Sequence, residues 1–253
     1  MDINDRVVIV TGGGSGIGAE TSRLLAGRGA KIVVTDISET GEEIAKGIRQ
    51  AGGEATFIRA DISVEEEAEA LVAKTLERYG RLDGAFNNAG VEQAGVPLHQ
   101  LTAAQWDRAI RVDLTGVFHS LKYEIAAMLE SGTRGSIVNT ASSLGQIAVT
   151  DAAEYVAAKH GVIGLTRAAA ADYGQHGIRV NAVLPGIVET PLIARLSEDP
   201  TFSGKFDAMR QRHPLGRFAK ANEIGEAVAW LLSDNSEFVT GAAIPVDGGY
   251  LAV

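Results

Sequence analysis

The chain has 253 residues, 45% of them hydrophobic and 22% charged, enough for one large α/β domain or two small ones with a substantial core. Its 32 acidic against 23 basic residues give a net charge of −9, which excludes general binding to nucleic acid or to an anionic membrane, since both need a positive field. The absence of cysteine excludes disulfides, thiolate catalysis and Cys-based metal sites; with no signal-peptide pattern and no apolar run near the ~18 residues of a membrane span, a cytoplasmic protein is expected.

The first element is "RVVIVT" (6–11), a β-branched run that leads into "TGGGSGIG" (11–18) and a helical pattern marked by Ala19, Leu24 and Leu25. The glycine frame is Gly12-x-x-x-Gly16-x-Gly18 rather than G-x-G-x-x-G. The physics is the same, because glycines let the backbone approach a pyrophosphate seated at a helix N-terminus. Taken alone, the stretch also reads as a plain tight turn. The next strand, "AKIVVTD" (30–36), ends on Asp36, twenty residues after Gly16, where a carboxylate can accept hydrogen bonds from an adenosine ribose. A 2′-phosphate there would meet a like charge, and no Arg or Lys lies in the turn or just after Asp36, so NAD(H) is expected over NADP(H). The alternative for Asp36 is a solvated strand end.

"EATFIRAD" (54–61) and "LDGAFNNAG" (82–90) read as further strands, separated by a helix that carries Leu71, Val72 and Leu76. A second apolar helix runs through "AIRVDLTGVF" (109–118), where Asp113 stands among Ile110, Val112, Leu114, Val117 and Phe118. An ionised carboxylate in that company is costly unless it is paired, hydrogen-bonded or neutralised. "GSIVNTAS" (135–142) is the next strand, and "EYVAAKHG" (154–161) then sets Tyr155 and Lys159 at i and i+4 on one helix face. A free phenol, with a pKa of ~10, is too weak a base near neutral pH, and an ammonium beside it favours the phenolate. Such a pair is commonly an ordinary helix surface. Here it follows a strand ending in "NTASS", at the carboxyl edge where doubly wound sheets bind ligands.

"GIRVNAVLPG" (177–186) is the last clear strand before residues 187–221, a polar stretch with Pro191, Pro200 and Pro214 and no strand signal, which reads as a lid or binding loop. A helix with Ile224, Val228, Leu231 and Leu232 follows, and the tail "AAIPVDGGYLAV" reads either as a last strand with its cover or as an interface segment. Strands without alternation are buried on both faces, so a doubly wound parallel sheet with helices on each side is expected, in one domain over 1–253.

Across nearly its whole length the chain resembles the compact, single-domain branch of the short-chain dehydrogenase/reductase superfamily. The markers are "TGGGSGIG", Asp36, "ADI" (60–62), "NNAG" (87–90), Ser142, Tyr155-x-x-x-Lys159, "PGIVETP" (185–191) and "VDGG" (246–249). The resemblance implies a Rossmann-like sheet of about seven strands and an NAD-dependent oxidoreductase acting on a small-molecule alcohol or ketone. It also implies a homotetramer. Tyr155 would exchange a proton with the substrate oxygen and Ser142 would hydrogen-bond the same oxygen. Lys159 would hold the nicotinamide ribose and lower the tyrosine pKa. Ser142 lies thirteen residues before Tyr155, as the family pattern requires, with Ser143 as runner-up. Gly12, Ser15, Gly16, Ile17 and Gly18 would line the pyrophosphate, with Asp36 and Ile37 at the ribose and Asp61 and Ile62 bracketing the adenine. Asn88, Ala89 and Gly90 would line the middle of the cofactor. Val188, after Pro185 and Gly186, would offer backbone groups to the carboxamide, and Thr190 its hydroxyl to the carboxamide or phosphate. Asn139 and Asn181 are expected to be structural amides, as is His160 a structural residue. His213 could touch substrate from the lid, and no histidine shows metal-ligand spacing.

Relatives usually carry Asn at the position of Asp113, where it anchors a water in a proton relay through the lysine and a ribose hydroxyl to the tyrosine. Asp keeps acceptor oxygens but loses the NH₂ donor when ionised. It would also stabilise the lysine's charge. Two readings stand: a working relay variant, or a structural carboxylate with an altered relay. The pocket walls expected at 92–98, 143–151 and 187–221 are moderately apolar, which points to a neutral secondary alcohol, although Arg195, Arg210 and Arg212 leave an anionic substrate open. Several stretches, "FNNAGVEQAG" and "HPLGRF" among them, are similar to bacterial dehydrogenases of cyclic alcohols and cyclohexadiene diols. An NADH-using carbonyl or 3-oxoacyl reductase is the alternative, and a non-catalytic NAD-binding sensor or scaffold a third.

Overall fold

Strand β1 (Val7–Thr11) is buried at every position, and its residues divide by parity. Val7 and Ile9 enter one apolar core, Val8 and Val10 the other. That is the period of a pleated strand covered on both faces. A computed structural model describes residues 3–190 and 207–253 of the chain. In it β1 is joined by β2 (Lys31–Asp36), β3 (Glu54–Arg59), β4 (Gly84–Asn87), β5 (Ser136–Thr140), β6 (Arg179–Pro185) and, near the C-terminus, β9 (Ala243–Val246). The seven form one sheet in the order β3-β2-β1-β4-β5-β6-β9, with every pairing parallel.

Helices α1 (Gly16–Gly27), α2 (Thr40–Gln50) and α7 (Ala221–Leu232) cover one face, contributing Leu25, Ala45, Ile48, Ile224, Val228 and Leu231 to its core. The other face is covered by α3 (Glu65–Tyr79), α5 (Gly116–Ser131) and α6 (Ala153–Tyr173), through Leu71, Leu121, Met128 and Val162. The chain winds outward from β1 to β3, then returns to place β4 on the opposite side of β1. That reversal opens a crevice beyond the carboxyl ends of β1 and β4, the place where doubly wound sheets take their ligands.

Two features depart from the sequence reading. First, α4 (Ala103–Ile110), started by a Thr102–Gln105 capping box, does not run straight into α5. A π-helical turn, Arg111–Thr115, separates them and holds Asp113 at its centre. The widened turn inserts an extra residue into the helical ladder, and a pattern of apolar spacing does not reveal it. Second, the stretch without a strand signal is closed at its roots by β7 (Val188–Glu189) and β8 (Ala219–Lys220), which pair in parallel. Two-residue strands are too short to leave a hydrophobic period. Residues 191–206, the middle of the expected lid, lie outside the described residues.

Candidate active site

The turn between β1 and α1 is built by glycines because other residues do not fit. Gly12 and Gly16 have φ of +63° and +51°, in the left-handed region. A Cβ on Gly18 would stand 2.2 Å from the Gly12 carbonyl oxygen. Across the crevice, the backbone N–H groups of Asn88 and Ala89 donate to Thr11 Oγ1 at 3.0 and 3.1 Å, and the Asn88 amide reaches the Thr11 carbonyl at 3.3 Å. The Asp36 carboxylate accepts from the Gly14 and Ser38 N–H groups, both at 2.9 Å, and so lies against the glycine turn. Ser15 starts α1 without a side-chain capping bond. A Cβ on Gly16 would meet only Thr190, at 3.5 Å. Ile37 is 60% exposed at the mouth, whereas Ile62 packs its side chain into the core against Gly116. Beside it, Asp61 Oδ1 accepts from the Ser63 N–H at 2.9 Å.

Lys159 and Asp113 meet on the far side of this crevice. Lys159 Nζ donates to the Thr140 carbonyl at 3.1 Å and lies 3.3 Å from Asp113 Oδ1, which also accepts from the Val91 N–H at 3.1 Å. Gly90 makes room for the pair, since a Cβ there would stand 2.6 Å from Asp113 Oδ1. Burial pushes the Asp113 carboxyl above its usual range, against the opposing pull of the Lys159 charge. Burial is the largest influence on Lys159 and works against its charge, but the Asp113 charge, the Tyr155 oxygen and the Asp113 hydrogen bond together hold the ammonium above its ordinary pKa. The ammonium stands 5.3 Å from the centre of the Tyr155 ring. Ser142 Oγ accepts from the Leu144 N–H at 3.1 Å, leaving its own proton to donate. The Ser143 hydroxyl is buried and donates to the Pro185 carbonyl at 3.1 Å. The two serines therefore occupy different environments, and Ser143 ties β5's end to β6's.

Several side chains prove to be scaffolding. Asn181 bridges the Val239 carbonyl (2.8 Å) and the Ala242 N–H (3.0 Å), and His160 Nδ1 donates to the Val156 carbonyl at 2.9 Å. Asn139 joins a buried chain of hydrogen bonds: Thr166 donates to the Val162 carbonyl, Asn139 to Thr166, and Asn87 to both Asn139 and Glu124, at 2.8 to 3.0 Å. Glu124 and Glu154 went unremarked in the sequence, although each is a carboxylate in an apolar helix, the same signal that singled out Asp113. Both are 1% exposed. Glu154, next to Tyr155, accepts from the Ala94 N–H and so pins one expected pocket wall to α6. His213 is a correction: it is 2% exposed and turned toward Met209 and Ile187, with both ring nitrogens engaged. Arg210 and Arg212 lie over the rings of Phe218 and Tyr250. Arg195 lies outside the described residues. Among the described residues no cluster suited to a metal ion occurs, and no helix is long and apolar enough to cross a membrane.

Residues 12–251 match the model of a family described as enoyl-(acyl carrier protein) reductase. The chain is 48% identical over 253 residues to a 2,5-dichloro-2,5-cyclohexadiene-1,4-diol dehydrogenase of Sphingobium indicum, covering 100% of this chain and 99% of that one. It is 45% identical over 249 residues to a cis-4-hydroxycyclohexanecarboxylate dehydrogenase of Sinomonas cyclohexanicum, with 98% of each covered. A solved actinorhodin polyketide ketoreductase with NADPH is similar in structure, with a TM-score of 0.91, 40% identity and 97% of each chain covered.

Proposed function

The chain belongs to the short-chain dehydrogenase/reductase family, and from that premise we propose that it interconverts a ring-borne secondary alcohol and its ketone, with NAD as the dinucleotide and Tyr155 as the proton-exchanging group. The observation that carries the reading is the Lys159 ammonium, fixed by Thr140 and Asp113 at the carboxyl edge of the sheet and facing the Tyr155 ring.

A dinucleotide fits the crevice. The first N–H groups of α1 have no intrahelical partner and suit a pyrophosphate, and Ser15 keeps its hydroxyl free of capping. Gly12, Gly16, Ile17, Gly18 and Thr190 would surround that group, with Asp36 and Ile37 at the ribose, Asp61 and Ile62 at the adenine, and Asn88, Ala89 and Gly90 along the middle. Pro185, Gly186 and Val188 would face the carboxamide. Asp36 supports NAD: a 2′-phosphate would approach a carboxylate whose oxygens already hold the Gly14 and Ser38 amides in place. The nicotinamide, when bound, supplies the hydride acceptor or donor. Ser142 donates its free proton to the substrate oxygen, and Tyr155 exchanges a proton with that oxygen. Lys159 keeps a positive charge beside the phenol, and Asp113 contributes to holding that charge against burial. Asp113 Oδ2, buried and without a hydrogen-bond partner among the described residues, is the acceptor a relay water would use. A neutral substrate is favoured by the placement of Arg210 and Arg212 over aromatic rings. The exposed Trp106, Phe118 and Leu129 on α4 and α5 support burial of that face in a homotetramer.

Initial rates with NAD and with NADP across a panel of alicyclic secondary alcohols test this. At least one ring alcohol should turn over, with NAD preferred about tenfold or more, the equivalent of ~1.4 kcal/mol of repulsion at Asp36. Equal or better rates with NADP would remove the role given to Asp36.

A further inference from the structure

We propose that His213 is a positioning residue for the cofactor: as a neutral imidazole it holds the Gly186–Val188 turn in the shape that meets the carboxamide. The proposal rests on the reading of Val188 given above. Its basis is the hydrogen-bond polarity around the ring. Nδ1 lies 2.8 Å from the Met209 carbonyl, which can only accept, so Nδ1 carries the proton. Nε2 is then a lone pair, and it accepts from the Ile187 N–H at 3.3 Å. The carbonyl of the same residue accepts from the Ala219 N–H at 2.9 Å. Ile187 is thus gripped on both sides by residues of the 207–220 segment, immediately before Val188.

The imidazole has little freedom to move. It is 2% exposed and lies between the Phe218 and Tyr250 rings, with centroids 5.9 and 5.0 Å away. A Cβ at Gly186 would stand 2.8 Å from Nε2, so the glycine of this turn is needed for the histidine to approach. The Leu215 N–H donates to the Gly248 carbonyl at 3.1 Å, which ties the same segment to the C-terminal turn. The charged groups packed around the ring have other partners. Arg210 and Arg212 lie over Phe218 and Tyr250, and Arg217 pairs with Glu223 at 2.7 Å across the adjoining cavity. The Asp247 carboxylate holds the Gly249 and Leu251 N–H groups at 2.9 and 3.0 Å.

The test is NADH affinity, read by fluorescence without turnover at one pH, for wild type, His213→Leu and His213→Gln. Gln carries an acceptor at the position of Nε2. The expected result is NADH binding weakened about tenfold in His213→Leu, as for a lost hydrogen bond that leaves a donor unpaired. His213→Gln should restore it to within a few-fold of wild type. Wild-type affinity in His213→Leu, or affinity in His213→Gln as weak as in His213→Leu, would overturn the proposal while leaving the cofactor reading intact. Should the Leu variant fail to fold, His213→Asn, whose shorter side chain does not reach the Ile187 N–H, takes its place with the same two outcomes. If wild type itself bound neither NADH nor NADPH, the cofactor reading would fall and this proposal with it.

Discussion

Asp113 puts a carboxylate at an enclosed point of the site: it is fully buried and paired to a lysine that is 3% exposed. A buried ion pair is costly to desolvate and is stable only when other hydrogen bonds complete it. Here the Val91 N–H and the Thr140 carbonyl supply part of that set, and Asp113 Oδ2 has no partner among the described residues. An amide oxygen could accept the Val91 N–H equally well, so Asp113→Asn should fold and keep most activity. It would also remove the negative charge that helps hold the Lys159 ammonium against burial, so Lys159 would lose its proton at lower pH. The alkaline fall of kcat/KM should therefore move to lower pH in Asp113→Asn, measured as kcat/KM against pH. Complete loss of turnover with fold and NAD binding intact would contradict this account. The sequence exposed Asp113 because a lone charge in an apolar helix is conspicuous. It could not show the partner, since the Lys159 contact depends on the π-helical turn.

Elements are joined by the buried chain that runs from α6 through β5 and β4 to α5. Its polarity is fixed: Thr166 donates to Val162, so it must accept from Asn139, whose oxygen in turn accepts from Asn87. Asn87 spends its second proton on Glu124. The ends of β4 and β5 are thereby locked just before Asn88 and Ser142, two residues assigned to the proposed site. Burial lifts the Glu124 carboxyl to about 7 from 4.5, with the Asn87 bond opposing. The folded state holds this proton more tightly than the unfolded one, so the associated stability is full below 4.5 and is lost as pH rises through about 7. The full effect is roughly 3 kcal/mol. Glu124→Gln keeps the acceptor and cannot ionise. Its melting temperature relative to wild type should rise by roughly 6 °C between about pH 5 and pH 8; an equal difference at both would contradict the buried charge. Strands were readable because continuous apolar runs are what two-sided burial requires. The expected strand 82–90 is shorter, Gly84–Asn87, because Asn88 and Ala89 leave the sheet to bond Thr11.

For the whole molecule, the seven-stranded parallel sheet gathers distant segments at one edge: the glycine turn after β1, Asp36 after β2, Asn88–Gly90 after β4 and Ser142 after β5. Local patterns sufficed for this layout, because each marker sits at the end of its own strand. What they could not supply were contacts made across the fold, such as Glu154 on Ala94 and His213 on Ile187, whose spacing in sequence follows no period. In the proposed reaction, which this edge assembles, Tyr155 exchanges the proton. The most direct test of that role is the rate of NADH formation from a cyclic secondary alcohol by wild type and by Tyr155→Phe, with NAD affinity measured in both. Turnover should fall at least about a hundredfold in Tyr155→Phe, the scale of a lost acid–base group, while NAD affinity stays within a few-fold. Turnover undiminished in Tyr155→Phe would contradict the account.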